Sequence, residues 1–114
     1  MTEGPGGRRE KIVILGGGMA GLSAAWRLSQ AGWQDRYESI TVYQRGWRLG
    51  GKGASSRGSH GRIEEHGLHV WLGCYDNAFT VLRECYGEID RAATDPACPV
   101  LDWTDALIPA DTIG

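Results

Sequence analysis

The sequence predicts an α/β fold, a partial doubly wound sheet that opens with a strand–turn–helix–strand unit. Three observations carry this. Lys11-Ile12-Val13-Ile14-Leu15 is a short, mostly apolar run rich in β-branched residues, as suits a parallel strand covered on both faces. Gly16, Gly18 and Gly21 follow it at the spacing G-x-G-x-x-G, with good helix formers behind them. Ile40-Thr41-Val42-Tyr43 then reads as a second parallel strand.

Ahead of the first strand, residues 1–10 (MTEGPGGRRE) carry charge but no apolar stretch of signal-peptide length follows them. They are expected to be a flexible lead. Each glycine of the turn has its own task in this setting. Gly16 permits the sharp exit from the strand. Gly18 leaves no side chain between the backbone and a pyrophosphate, and Gly21 lets the helix lie close to the sheet. The helix, expected from Met19 to Ala31, begins at Met19 and Ala20. Its unpaired N–H groups and positive dipole end face the phosphates. Eighteen of the 114 residues are glycine, so the spacing alone is weak. The strand before it and the helix after it make a dinucleotide-binding unit the expectation.

Leu22, Ala25, Trp26 and Ser29 recur at three- and four-residue steps and form the face expected to pack on the sheet. Gly32 is the expected C-terminal cap, and 32–39 a polar turn. After the second strand, a carboxylate is the usual partner for ribose hydroxyls. This chain has Gln44 followed by Arg45. Glutamine still offers one acceptor oxygen to a ribose, whereas Gln44 with Arg45 also suits the 2′-phosphate of NADP. Position 44 by itself leaves both open.

The next stretch, Arg45-Gly46-Trp47-Arg48-Leu49-Gly50-Gly51-Lys52-Gly53-Ala54-Ser55, is a second glycine-rich turn carrying three cations. It resembles the R-x-G-G-[RK]-x-x-S motif of the flavin amine oxidase and carotenoid (phytoene-type) desaturase superfamily. Arg48, Gly50, Gly51 and Lys52 hold the matching positions, and the resemblance implies that they line the pyrophosphate of FAD. The segment Arg62–Gly73 is similar to the carotenoid-desaturase branch, where a strand ending in a glycine runs under the flavin. Gly67 matches that glycine. The resemblance covers roughly residues 10–86 and departs from the family at Gln44.

His60, His66, His69 and Cys74 lie close in sequence, but Glu65-His66-x-x-His69 is not H-E-x-x-H. Two histidines three apart on an extended chain face opposite sides, so no metal site is expected. Ala78, Val81, Leu82 and Cys85 fall at i, i+3, i+4 and i+7, which predicts an amphipathic helix over Tyr75–Tyr86. Asp76 or Asn77 is its expected N-cap, and Gly87 its end. Asp95-Pro96 and Cys98-Pro99 mark a loop, and Leu101–Gly114 shows no clear period. The expected organisation is a lead (1–10), a dinucleotide-binding domain (11–90) and the start of a substrate-side region (91–114).

Composition sets the remaining bounds. Hydrophobic residues make up 41%, and no run of 18 apolar residues occurs. Residues 1–62 hold ten Lys/Arg against four Asp/Glu, while 63–114 hold two against ten. A positive half around glycine turns suits an anionic dinucleotide, and the acidic half argues against nucleic acid. Cys74, Cys85 and Cys98 fit neither a disulfide framework nor a zinc knuckle, so reduced thiols in a cytoplasmic protein are expected. The resemblance implies an oxidoreductase in which FAD takes a hydride from a substrate carbon. A lipid-like small-molecule substrate would bring it to a membrane surface. No nucleophile–base pair stands out, and the catalytic residues stay unassigned. Two strands cannot make a five-stranded sheet. The chain alone is therefore expected to be inactive, a fragment needing a C-terminal segment or a partner subunit. The alternatives are an NADP-dependent reductase, favoured by Gln44-Arg45, and a non-catalytic remnant or interaction subunit of a split enzyme.

Overall fold

A computed structural model describes residues 7–111, which fall into two compact units meeting at the His69–Val70 bond. The first holds strand β1 (Glu10–Leu15), helix α1 (Met19–Leu28), a short helix α2 (Trp33–Arg36) and strand β2 (Tyr37–Tyr43). A 3-10 turn at Gly51–Gly53 follows, then strands β3 (Ser56–Arg57) and β4 (Ile63–Glu64), joined through a 3-10 turn at Ser59–Gly61. The second holds α3 (Asp76–Ile89), α4 (Arg91–Thr94) and a 3-10 turn at Trp103–Ala106.

The expected βαβ unit is present. β1 and β2 pair in parallel, Ile12 with Ile40 and Ile14 with Val42. Ile12, Ile14, Ile40 and Val42 are half-buried, and Ile14 lies against α1 at Gly21. The helix returns Leu22, Ala25 and Trp26, also half-buried, as their spacing predicts. The alternate residues face outward, with Val13 56%, Leu15 83% and Tyr43 60% exposed. Among the described residues no hydrophobic side chain is fully buried.

Several boundaries differ from the sequence expectation, each for a local reason. Of the proposed lead, residues 1–6 lie outside the described chain. Arg9 donates to the Gln34 carbonyl at 2.7 Å, and Glu10 already belongs to β1. α1 stops at Leu28 instead of Ala31. There the Ser29 hydroxyl and the Gln30 side-chain amide both donate to the Trp26 carbonyl, and such side-chain bonds compete with helix continuation. Gly32 does not cap α1. At φ +84° it sits instead at the N-cap of α2, and 32–39 is a helical turn running into a longer β2.

The stretch after Arg62 is not one strand. β4 pairs antiparallel with β3 over two residues each, in a hairpin bent by His60 (φ 61°) and Gly61 (φ +74°). Beyond Glu64 the chain leaves the hairpin, and Gly67 adopts φ +99°.

In the second unit, α3 runs to Ile89, past Gly87, and ends where Asp90 takes φ 45° and donates its N–H to the Tyr86 carbonyl at 3.1 Å. Neither Asp76 nor Asn77 caps it; Tyr75 is the N-cap residue, without a side-chain bond. Ala78, Val81, Leu82 and Cys85 form the half-buried face. Phe79 stands between Trp71 and Trp103, with ring centroids 5.6 and 6.1 Å away, a spacing at which aromatic pairs attract. Arg91 lies over the Tyr86 ring and donates to the Val100 carbonyl. The stretch after Leu101, which shows no period, is organised by a reciprocal cap. Asp102 accepts from the Thr104 N–H while Asp105 accepts from the Asp102 N–H.

Candidate functional site

The two glycine turns meet at the C-terminal ends of the parallel strands. Gly16 leaves β1 with φ +104°, a conformation that costs glycine nothing, and its N–H donates to the Tyr43 carbonyl at 2.8 Å. Gly18 forms a parallel bridge with Gly50, and the Gly50 N–H donates to the Gly17 carbonyl at 2.8 Å. Gly50 and Gly51 both have positive φ, +107° and +57°. A β-carbon on Gly51 would stand 3.1 Å from the Gly18 α-carbon. The second turn therefore lies directly on the first, and bare backbone is what lets it approach.

Gly21 and Gly18 are glycines for different reasons. A β-carbon at Gly21 would sit 2.0 Å from the Gly16 carbonyl oxygen, so the fold itself excludes any larger residue. At Gly18 a β-carbon would meet nothing within 4 Å. Its φ of −79° and ψ of −173° suit any amino acid. Among the described residues nothing requires glycine at 18. Gly18 is also the N-cap of α1 and offers no capping side chain. The first N–H groups of that ten-residue helix, from Met19 and Ala20 onward, have no carbonyl partner within it. Space and donors coincide where an anion would lie.

Gln44 stands between the turns. Its Oε1 accepts the Gly17 N–H at 2.8 Å, and its Nε2 donates to the Arg48 carbonyl at 3.0 Å. Arg48 turns its guanidinium to the Ser55 carbonyl and over the Trp47 ring. The side chains of Arg45 and Lys52 make no hydrogen bond or ion pair among the described residues and remain exposed.

A second network, not legible in the spacing, secures the far end of the second turn. The Ser55 hydroxyl donates to Glu65. Glu65 lies 3.6 Å from His69 Nδ1, and His69 Nε2 lies 3.1 Å from the Lys52 carbonyl. The His69 ring thus bridges the Glu65 carboxylate and the Lys52 carbonyl. His66 has no part in it. Among the described residues no group of three or more His, Cys, Asp or Glu side chains is placed to hold a metal ion. No helix there is long and apolar enough to cross a membrane. The structure brings Gly16, Gly18, Gly21, Met19, Ala20, Gln44, Arg48, Gly50, Gly51 and Lys52 into one neighbourhood. Gly67 lies in the bent segment after β4.

The family described as NAD(P)-binding Rossmann-like domain matches residues 14–85. The chain is 40% identical over 83 residues to the chloroplastic/chromoplastic zeta-carotene desaturase of Solanum lycopersicum, covering 72% of this chain and 13% of that protein. Against the zeta-carotene desaturase of Arabidopsis thaliana it is 37% identical over 90 residues, 78% of this chain and 15% of the other. Against the 15-cis-phytoene desaturase of Synechococcus elongatus it is 38% identical over 74 residues, 65% and 15% respectively. The chain thus spans about one seventh of the length of these curated relatives. No solved structure matches it significantly.

Proposed function

The chain belongs to the NAD(P)-binding Rossmann-like domain family, and from that premise we propose that it is the FAD-binding portion of a desaturase-type flavin oxidoreductase. It is a dinucleotide-binding region homologous to carotenoid desaturases. The observation that carries the reading further is Gly18, a glycine the fold does not need, at the open N-terminus of α1. A pyrophosphate laid there accounts for it.

The residues fit the group. Gly16 and Gly18 leave the backbone bare, and the Met19 and Ala20 amides would donate to the phosphates of the bound dinucleotide. Gly50 and Gly51 carry the second turn over them, with Lys52 and Arg45 supplying unspent positive charge. Arg48 holds that turn through the Ser55 carbonyl. Gly67, which matches the family's glycine, would lie toward the flavin. FAD, when bound, supplies the hydride acceptor, and the protein contributes binding, orientation and polarity. The substrate we infer is a small lipid-like molecule, in keeping with the desaturases the chain resembles. The rest of the sheet and the substrate region come from further segments or a partner subunit. The free thiols Cys74, Cys85 and Cys98 support a cytoplasmic setting, and a lipid-like substrate supports contact with a membrane surface.

Calorimetric titration of the full-length protein with FAD, NAD and NADP tests the reading. FAD should bind at least tenfold more tightly than either nicotinamide dinucleotide. Tighter binding of NADP would overturn it and favour a reductase, the reading that Gln44-Arg45 invites.

A further inference from the structure

Among the described residues Gly17 is the buried one, and its N–H has to be satisfied without water. The Gln44 carboxamide does this with Oε1, and the same group donates from Nε2 to the Arg48 carbonyl. The approach is tight: a β-carbon on Gly17 would lie 2.9 Å from Gln44 Oε1 and 2.5 Å from Leu49 Cδ2. One flat group therefore joins the first glycine turn to the second, next to the Gly50–Gly17 backbone bond at 2.8 Å. The joint needs a donor and an acceptor on the same side chain. A carboxylate has only acceptors. It would keep the Gly17 bond but set an anionic oxygen against the Arg48 carbonyl.

We propose that Gln44 is the positioning residue of the cofactor cradle, its carboxamide clipping the second glycine turn onto the first so that both backbones meet one pyrophosphate. This rests on the dinucleotide-binding reading for its consequence, but the clip itself is a property of the protein without ligand. It explains why an amide stands where a carboxylate is the usual ribose partner. The carboxamide holds the frame in which the phosphates are bound.

Two variants of the full-length protein test it. Gln44→Met keeps the length and removes both bonds. Gln44→Glu keeps the acceptor and regains a donor only when protonated. The charged residues adjoining position 44 in the turn are Arg45 and Arg48, whose charge is constant over the range used, so any titration reports the new carboxyl group. Without cofactor, amide exchange at Gly17 and Gly50 should be at least tenfold faster in Gln44→Met, with exchange at Ile14 unchanged as the control for global unfolding. FAD affinity, followed by flavin fluorescence, should fall at least fivefold in Gln44→Met at every pH. In Gln44→Glu it should fall as far at pH 8 and recover toward wild type only as the pH is lowered to about 4, where the new carboxyl takes up its proton. Unchanged Gly17 protection in Gln44→Met overturns the clip, as does Gln44→Glu affinity that is flat with pH or improves at pH 8. Loss of Gly17 protection in Gln44→Met, with a wild-type protein that itself binds no FAD at any pH, keeps the clip and overturns the flavin reading alone.

Discussion

A single methyl group should have opposite consequences at Gly18 and Gly21. In Gly18→Ala the new carbon meets no protein atom and the backbone is already extended. Stability should change by less than about 1 kcal/mol, since a compatible Gly→Ala change stabilises by roughly that amount and a glycine N-cap is worth a few tenths. Cofactor affinity should fall at least tenfold, because the methyl occupies phosphate space. In Gly21→Ala the carbon overlaps the Gly16 carbonyl, so α1 must move off the sheet, at a cost of about 1–3 kcal/mol. Thermal unfolding of both variants, with and without FAD, checks the pair. A Gly18→Ala protein that binds FAD normally would show that the phosphates do not approach this turn. The division of labour within G-x-G-x-x-G was legible in the sequence for Gly16 and Gly21. The clip at Gln44 was not, because its partners Gly17 and Arg48 are backbone groups that no side-chain pattern announces.

α3 shows where periodicity succeeds and punctuation misleads. Its apolar positions follow the 3.6-residue repeat, but Gly87 lies inside the helix because Asp90, not the glycine, adopts the left-handed turn. A β-carbon at Gly87 meets nothing within 4 Å. Gly87→Ala should therefore stabilise the protein by about 0.5–1 kcal/mol and raise helicity by circular dichroism. Destabilisation by that variant would restore Gly87 as a helix end. On the same helix, burial, and then Glu88 and Glu84, raise the Cys85 thiol above its ordinary range. The thiolate is the reactive form. Iodoacetamide at pH 8 should thus label exposed Cys74 at least tenfold faster than half-buried Cys85, whose rate should still be climbing above pH 9. Equal rates at pH 8 would remove the burial assigned to that face. α1 and the segment after Arg62 were misjudged at their ends for a shared reason. Ser29 and Gln30 take the Trp26 carbonyl, and the hairpin turn at His60–Gly61 limits β4. Both are local backbone competitions invisible to hydrophobic spacing.

At the scale of the molecule the open apolar surface governs behaviour. Val13, Leu15 and Tyr43 leave one sheet face uncovered, and Trp47 is 88% exposed. Residues 1–114 expressed alone should bind a hydrophobic dye, unfold without a cooperative transition and purify without yellow colour. Adding the further segments of the protein should restore a sharp transition and bound FAD. Cooperative melting with stoichiometric flavin in the 114-residue chain would instead describe a minimal flavoprotein. The fold class was legible because β1, the glycine turn and α1 are one contiguous pattern. The hairpin β3–β4 and the Ser55–Glu65–His69 network were not, because they depend on long-range pairing between polar residues.

The register of β1 on β2 also bears on how the cradle is assembled. Lys11 pairs with Ser39, and Gly18 meets Gly50, so each closure spans only about thirty residues of chain. The entropy of closing a loop grows only slowly with its length, roughly as (3/2)RT ln n, and α1 shortens the effective span further by forming locally. Parallel pairing is nonetheless an intrinsically slow folding step, because the closure must be made before its contacts reward it. The two glycine turns can thus meet only as β1 and β2 pair, so the proposed phosphate frame and the sheet are completed in one step. In refolding of the full-length protein followed by pulsed exchange, protection at Gly17 and Gly50 should therefore appear in the same phase as protection at Ile14.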